Sequence, residues 1–543
     1  MRDEEKDQRV LPGLPRLALG ALSGALAGFA ALAVAELVAG ALHPQSSPVV
    51  AVGGASIDAT PAEVKDWAIC RFGTDDKLVL QLGILAVLTV LALVLGVLAM
   101  RFRRVGAVGV LLFGAVGATA AVGRPDSTGF TDALPSVVGA VAGALLLYVL
   151  VSRLTAVTFP LASATESMAE EVGAGPPTSE GWDRRGFVLA AASAAAASAV
   201  VGTVGRSLNA SRGQEAIASR RKVVLPPPGS PARPAHKRAG PRVPGISPFV
   251  TPNDDFYRVD TALVVPKVAA TGWRLRIHGT GVRRPVTYSF DDLLRRELIE
   301  RDITLTCVSN EVGGPYVGNA RWTGVRLADL LAECGVKAPS RGGPADQLVA
   351  RSVDGMTIGS PVEDLLDGRD AMLALGMNGE PLPFAHGFPV RMVVPGLYGY
   401  VSACKWIKDI ELATFDSYDA YWVKRGWARK APIKTESRID TPKPFARPKA
   451  GTVMVAGVAW AQHRGIDRVE VRIDDGPWQE AHLAAEDSRD TWRQWSIPWQ
   501  ASKGGHTLTV RATDRTGTVQ TDRRARTVPD GASGQHSVVV TVD

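Results

Sequence analysis

The chain has 543 residues and a formal net charge of +7, and this length predicts two to four structural units. The modest charge, with no Lys/Arg run interleaved with aromatic residues, argues against a nucleic-acid partner. Four cysteines without CxxC or CxxCH spacing exclude zinc ribbons, thioredoxin-type motifs and covalently attached c-type haem. Up to about residue 205 the chain is dominated by Ala, Leu, Val and Gly, whereas the remainder has the composition of a soluble globular protein.

The first part contains apolar stretches long enough to cross a bilayer. They lie at residues 17–42, 78–100, 105–122 and 134–151, and a weaker, Ala-rich stretch follows at 186–205. Arginines at 101, 103, 104, 153, 184 and 185 fall in the loops after the second and fourth stretches, and the positive-inside rule makes these loops cytoplasmic. We therefore predict a multi-pass protein of the cytoplasmic membrane whose C-terminal part lies outside. His43 is the only histidine of this part, so it lacks the two axial ligands of a buried b-type haem.

The fifth stretch is preceded by Asp-Arg-Arg-Gly-Phe-Val at residues 183–188, which resembles a twin-arginine export motif. Two positive-inside arginines before an ordinary helix explain the same pattern equally well. The resemblance implies export of a folded, cofactor-loaded domain. A Pro-rich basic stretch at 226–242 is typical of a linker beside a membrane surface.

The outer part mixes short apolar strands with amphipathic helices, which predicts an α+β domain over residues 247–440. Strands are expected at 273–278, at 303–306 and at 389–395, with helices beginning after Ser289 and covering 325–331. Residues 441–543 show only alternating strands, such as 468–474 and 506–512, and predict an Ig-like β-sandwich. The complete domain prediction is a four-helix transmembrane region at 1–160, a cytoplasmic loop, fifth span and linker at 161–246, then these two domains.

Cys307 ends the predicted strand 303–306 and is followed by a loop rich in Gly, Asn and Ser. A thiolate at such a junction suits a soft or high-valent redox metal. Free cysteine is also a common small core residue, and from spacing alone that role is the more frequent one.

Three sequence blocks resemble the sulfite oxidase family. Residues 304–310 (TLTCVSN) and 318–327 (GNARWTGVRL) are similar to its metal-binding segment. Residues 377–383 (MNGEPLP), 386–391 (HGFPVR), 394–396 and 405–406 form a second block, and 253–258 (NDDFYR) match the first pterin-contacting stretch. The resemblance implies a membrane-anchored bacterial member of the superfamily, with molybdenum held by one pyranopterin and the Cys307 sulfur, and with no haem in this chain.

The same resemblance assigns roles to individual residues. Arg391, His386 and Lys405, with the main chain at Ser402 and Ala403, are expected around the pterin phosphate. Asn253, Tyr257 and Arg258 are expected to hold the pterin or face the open side of the metal. The catalytic set implied is Cys307, Arg258 and Arg321.

Two departures from sulfite-oxidising members bear on the substrate. Val312 stands where those members have arginine, and Leu375 where they have tyrosine. A desolvated anion needs positive partners, so the loss of this arginine weakens the case for sulfite as the substrate and keeps a sulfoxide as the other candidate. Arg489 aligns only loosely with another anion-binding arginine of the family. We expect oxygen-atom transfer on a small substrate, a separate electron donor or acceptor, and a homodimer through the C-terminal domain. The alternative is a non-catalytic exported binding or scaffold module on a membrane anchor.

Overall fold

The computed structural model describes residues 13–61, 64, 71–72, 76–127, 129–155, 184–234 and 240–543. Within it the chain divides into two compact units, Met1–Arg212 with Ala262–Val264, and Gly213–Thr261 with Val265–Asp543. Most of the predicted cytoplasmic loop, Asp183 of the twin-arginine-like motif and part of the Pro-rich linker lie outside the described residues.

The first unit is helical. Its helices are α1 Leu14–Ala41, α2 Pro48–Ala59, α3 Asp76–Arg101, α4 Arg103–Val122 and α5 Leu134–Thr155. A sixth helix, α6 Arg184–Lys222, begins in the first unit and continues into the second. Among the described residues five of these segments, all but α2, are long and apolar enough to span a membrane, which supports the prediction of a membrane protein. Glycines allow close helix packing: a Cβ on Gly24 of α1 would lie 1.9 Å from the Ala92 carbonyl oxygen of α3. The sequence did not predict α2.

Two five-stranded sheets form the α+β part of the second unit. The first has the order β2-β1-β10-β5-β6, and only β1 and β10 pair in parallel. Its strands are β1 Arg274–Gly279, β2 Val286–Ser289, β5 Gln347–Ser352, β6 Thr357–Pro361 and β10 Ile407–Ala413. The second has the order β3-β4-β7-β8, with β9 paired to β7. Its strands are β3 Ile299–Thr306, β4 Val317–Arg326, β7 Met372–Met377, β8 Glu380–Pro381 and β9 Arg391–Val393.

Four short helices connect these strands: α7 Phe290–Leu294, α8 Leu327–Glu333, α9 Val362–Leu365 and α10 Gly399–Ser402. The helix start after Ser289 is confirmed, because the Ser289 hydroxyl accepts from the Asp292 amide and the Asp292 carboxylate accepts in return. The helix expected at 325–331 begins two residues later, because Val325 and Arg326 still pair with β7. Trp322, fully buried on β4, belongs to the core of this part.

The C-terminal part consists of two four-stranded antiparallel sheets. One has the order β11-β12-β16-β15, with β11 Glu436–Thr441, β12 Gly451–Trp460, β15 His482–Leu483 and β16 Arg493–Ala501. The other has the order β14-β13-β17-β18, with β13 Ile466–Ile473, β14 Gln479–Glu480, β17 Gly504–Asp514 and β18 His536–Val542. Val455, Val469, Trp495 and Leu508 from both sheets share one buried core. β11 crosses the predicted boundary at 440/441.

Candidate metal centre

Cys307 follows directly after β3 and is 8% exposed. Its amide donates to the Tyr316 carbonyl (2.9 Å), and its carbonyl accepts from the Asn310 amide (3.0 Å), which makes a tight turn into the following loop. Burial raises the pKa of the Cys307 thiol, against hydrogen bonds from Ser309 and the charge of Lys405. Burial therefore favours the protonated thiol, and binding of a metal there would require loss of this proton.

Arg391, on β9, is a buried cation whose surroundings offer it few partners. It is 2% exposed, and its Nη1 donates to the His386 carbonyl (3.2 Å) while the guanidinium lies 4.8 Å from the centre of the Trp322 ring. No described residue accepts a hydrogen bond from its Nε. Burial lowers the pKa of Arg391 to about 10. A buried cation in this state favours a bound anion.

Lys405 and Arg258 add two more cations. The Lys405 Nζ donates to Asp260 Oδ2 (2.9 Å), as does the Arg258 Nε (2.9 Å). Burial lowers the pKa of Lys405 to about 8, although Asp260 opposes this change. Gly387, with φ 108°, lies between the side chains of Arg391 and Lys405. A Cβ on Gly387 would be 3.0 Å from the Arg391 Cβ and 3.1 Å from the Lys405 Cβ, so glycine lets the two cations approach each other. The cluster of Arg258, Lys405, Arg391 and Asp260 therefore carries excess positive charge.

His386 and Asn253 join two of the sequence blocks. His386 Nε2 lies 2.9 Å from the Asn253 carbonyl oxygen and so carries the proton, which leaves Nδ1 as an acceptor without a partner in the described chain. Burial lowers the pKa of His386 to about 4, so the ring is neutral near pH 7. The Asn253 side chain accepts a hydrogen bond from the Asn378 side chain (2.8 Å) and donates one to Glu380 (2.5 Å). These bonds join the sequence block 253–258 to the block 377–383.

Tyr257 lies near both the thiol and the cations. Its ring stacks on Phe256 with centroids 5.1 Å apart. Burial raises the pKa of its phenol, the negative charge of Cys307 when that thiol is ionised raises it further, and Arg391 opposes the rise. A methyl group on Gly399 would lie 4.0 Å from the Tyr257 hydroxyl and 3.7 Å from the Thr306 carbonyl oxygen. The first residue of α10 therefore lies beside Tyr257 and the end of β3.

Three further expected residues have hydrogen-bond partners within the chain. Arg321 donates through Nε and Nη2 to Asp302 (3.0 and 2.7 Å), its register partner on β3 five residues before Cys307. The Ser402 hydroxyl donates to the Leu397 carbonyl (3.0 Å), and the Ala403 amide donates to the Gly399 carbonyl (2.9 Å).

Arg489 does not join the Cys307 group among the contacts described. It lines a polar cleft of about 480 Å³ together with Arg301, Asp302 and His463.

The C-terminal β-part contributes residues that the sequence did not single out. Gln462 Nε2 donates to the Thr304 carbonyl (3.0 Å) and to the Thr306 hydroxyl (3.1 Å). The Trp492 amide donates to the Thr304 hydroxyl (2.7 Å). These contacts hold the last three residues of β3, immediately before Cys307.

The loop after Cys307 is held in the same way. Arg438 Nη1 donates to the Gly314 carbonyl (2.8 Å). A Cβ on Gly313, whose φ is 80°, would come within 2.2 Å of the His536 ring, so only glycine fits there.

Asp260 is another residue that the sequence did not single out. A lone acidic residue two positions after Arg258 was a local signal for an ion pair.

The residues around Cys307 and Arg391 are suited to bind a metal through one thiolate, together with a larger metal-binding ligand that ends in an anionic group. Buried polar atoms of Arg391 (Nε), His386 (Nδ1) and Asn310 (Nδ2) find no partner within the described ranges. Cations and donors suited to a phosphate, next to a soft sulfur ligand, match the donor set that the resemblance to the sulfite oxidase family implies for a metal–pterin cofactor. The fold and the site thus suit the class of a cofactor-dependent redox protein, with Cys307 as the expected thiolate ligand.

Comparison with known proteins identifies the family. The family model described as "Oxidoreductase molybdopterin binding domain" matches residues 262–422. Mitochondrial sulfite oxidase of Mus musculus is 30% identical over 317 residues, which cover 50% of this chain but only 58% of the relative. The uncharacterized oxidoreductase YuiH of Bacillus subtilis is 33% identical over 157 residues, covering 29% of this chain and 73% of YuiH.

Among solved structures, a chain of the sulfane dehydrogenase SoxCD from Paracoccus pantotrophus is similar at 26% identity. The match covers 55% of this chain and 84% of that one, with a TM-score of 0.47. From the sequence comparisons, the chain belongs to the sulfite oxidase superfamily of molybdenum cofactor-dependent oxidoreductases. The predicted family, enzyme class and molybdopterin cofactor are thereby confirmed.

Proposed function

We propose that this chain transfers an oxygen atom between water and a small substrate outside the cytoplasmic membrane, and exchanges electrons with a separate donor or acceptor. The observation that carries the proposal is a buried thiol, Cys307, beside an excess of buried positive charge centred on Arg391. The bound molybdopterin would supply the redox and oxygen-transfer chemistry.

The chain's own residues would bind, orient and shield that group. Cys307 would lose its proton and ligate the metal, while Arg391, Lys405 and His386 would hold the anionic end of the pterin. Asn253 would fix the pterin through the contacts that already orient its amide. The main chain of Ser402 and Ala403 would lie against the same end.

Tyr257 and Arg258 would face the substrate. The raised pKa of Tyr257 keeps its phenol protonated, so that it can donate a hydrogen bond to an oxygen of the substrate. Arg258 is already paired with Asp260, and Arg321 with Asp302. Because each of these two guanidinium groups already contacts a carboxylate, we favour an uncharged oxygen-bearing substrate such as a sulfoxide over sulfite.

The remaining organisation is part of the same proposal. The helices of the first unit would anchor the protein with its N-terminus inside, and the twin-arginine-like segment would direct export. The domain limits 1–160, 161–246, 247–440 and 441–543 are proposed with it. The two-sheet C-terminal part would be an Ig-like domain that mediates a homodimer, an assignment supported by its antiparallel strands.

The test is metal and pterin analysis of the full chain, expressed with a working cofactor pathway. We expect about one molybdenum per chain, as one thiolate site implies, and dye-linked turnover with at least one sulfoxide or with sulfite. Cys307→Ser should lose metal and turnover, whereas Cys334→Ser, at a buried thiol beyond α8, should keep both. Wild-type protein without molybdenum would refute the proposal and favour the scaffold alternative.

A further inference from the structure

Two neighbouring surface segments of the second unit carry a concentration of positive charge. Residues 423–434 contain five basic and no acidic side chains, and residues 521–531 contain three basic and two acidic ones. The segments touch, because the Ala428 amide donates to the Pro529 carbonyl (2.9 Å) and the Lys434 Nζ donates to Asp530 (2.9 Å). We call these two segments together the basic surface.

Most of this charge faces solvent. Arg429 pairs with Asp419 and Lys434 with Asp530. Five further basic side chains of these segments are exposed and form no salt bridge within the described parts of the chain: Lys424, Lys430, Arg523, Arg524 and Arg526. Paired exposed charges contribute little to stability, and a cluster of like charges opposes folding slightly, so the fold itself does not explain this surface.

A run of aromatic rings connects the basic surface with the candidate metal centre. Tyr400 follows Gly399, the residue next to Thr306 and Tyr257. The Tyr400 and Trp427 ring centroids are 5.6 Å apart, and those of Trp427 and Trp422 are 6.3 Å apart. Trp427 lies half-buried within the basic surface, and Trp422 lies half-buried directly before its first residue. A protein bound there would bring its redox group near the rings that lead towards Cys307.

We propose that the basic surface is the docking site for an acidic redox protein that exchanges electrons with the molybdenum centre. The inference rests on the proposed function, since only an oxidoreductase needs this partner. Complementary charge steers such an encounter and raises its association rate, while the short aromatic spacings reduce the distance that an electron must cross.

The test compares two double charge reversals in the full-length holoenzyme in neutral detergent. Lys430→Glu with Arg526→Glu reverses charge on the basic surface. Lys449→Glu with Lys503→Glu is the matched control, because both side chains are exposed near the Gly451 end of β12. The segment 423–434 of the basic surface instead ends two residues before Glu436, which pairs with Trp460 at the other end of β12. The probe is an acidic c-type cytochrome, with a basic c-type cytochrome as its charge-opposite counterpart.

The wild type should react faster with the acidic cytochrome than with the basic one at low ionic strength. The Lys430/Arg526 variant should lose about tenfold in the second-order rate constant for the acidic cytochrome, and the difference should vanish at high salt. Dye-linked turnover should not change in either variant. An unchanged rate constant in the Lys430/Arg526 variant, or an equal loss in the control, would overturn the docking site.

Two further measurements separate the remaining outcomes. If the wild type shows no dye-linked turnover, the proposed function fails, and docking is then judged by binding of the acidic cytochrome to the unloaded full chain. Vesicles of phosphatidylcholine with one part in four phosphatidylglycerol test a lipid partner. Vesicle binding that the charge reversal abolishes, with cytochrome reactivity unaltered, would overturn the protein partner in favour of a lipid surface.

Discussion

Replacing Arg391 by methionine should separate stability from cofactor binding. In the cofactor-free protein the guanidinium is 2% exposed, and its surroundings lower its pKa from 12.5 to about 10. This change corresponds to about 3 kcal/mol of unfavourable free energy for the charged form in the folded state. Because the folded pKa is the lower one, the penalty is fully present at pH 7 and is relieved only as the pH rises above about 10.

Arg391→Met removes this penalty and keeps an unbranched chain against Trp322. The lost hydrogen bond to the His386 carbonyl offsets about 1–2 kcal/mol of the gain. The cofactor-free variant should therefore be as stable as the wild type or up to about 2 kcal/mol more stable. It should also bind the cofactor at least about 100-fold more weakly, since two charge-assisted hydrogen bonds of about 1.5–3 kcal/mol each are lost.

The assay is thermal unfolding of the full chain, produced in a host that cannot make molybdopterin, with pterin content measured after expression in a competent host. Arg464→Met is the matched control, because Arg464 is paired with the buried Asp514, so its loss should lower the unfolding temperature. If Arg391→Met destabilised the unloaded protein as much as this control, Arg391 would be a structural cation. Normal pterin content in Arg391→Met would also refute the reasoning.

Three further changes test the surroundings of the thiol. Through His386 the unloaded wild type should lose about 3 kcal/mol of stability between pH 6.5 and 4, because the unfolded state protonates this ring first. Thermal unfolding at the two pH values should show a loss smaller by about this amount in His386→Gln, while the loss through His536, whose pKa burial also lowers to about 4, remains. Asp260→Asn should destabilise the unloaded protein by about 3 kcal/mol or more, because buried Lys405 loses its carboxylate partner. This effect has the opposite sign to that of Arg391→Met, and equal unfolding temperatures for Asp260→Asn and the wild type would contradict it. Gln462→Leu should speed alkylation of Cys307 in the unloaded protein about tenfold, while Gln494→Leu, at another buried glutamine, should not.

Local signals in the sequence predicted much of the fold. Apolar length indicated the five long helices, and Ser289 with Asp292 marked the start of α7. A β-branched run ending in a Gly/Asn-rich loop placed Cys307 at the end of a strand. These features depend on residues close together in the chain, so spacing and composition are sufficient to find them.

Charge pairing between distant segments could not be predicted in the same way. Arg321 looked available in the sequence, yet the register of β3 and β4 sets it opposite Asp302. Lys405 and Asp260 are 145 positions apart, and their contact depends on the packing of the whole domain. A residue type in the right motif therefore indicates a candidate, while its partners decide whether its charge is available to a ligand.

The most distant contacts explain why the strand before Cys307 is fixed. β3 lies at the end of its sheet, so one side of its backbone has no neighbouring strand. At Thr304 that side is satisfied by the β-part of the unit: the Thr304 amide donates to the Asp490 carbonyl (2.9 Å), and its carbonyl accepts from Gln462. Buried backbone groups must be paired, so removing these contacts would leave the edge strand free to shift. The C-terminal part is therefore expected to determine where the Cys307 sulfur lies, whether or not it also joins two copies of the chain.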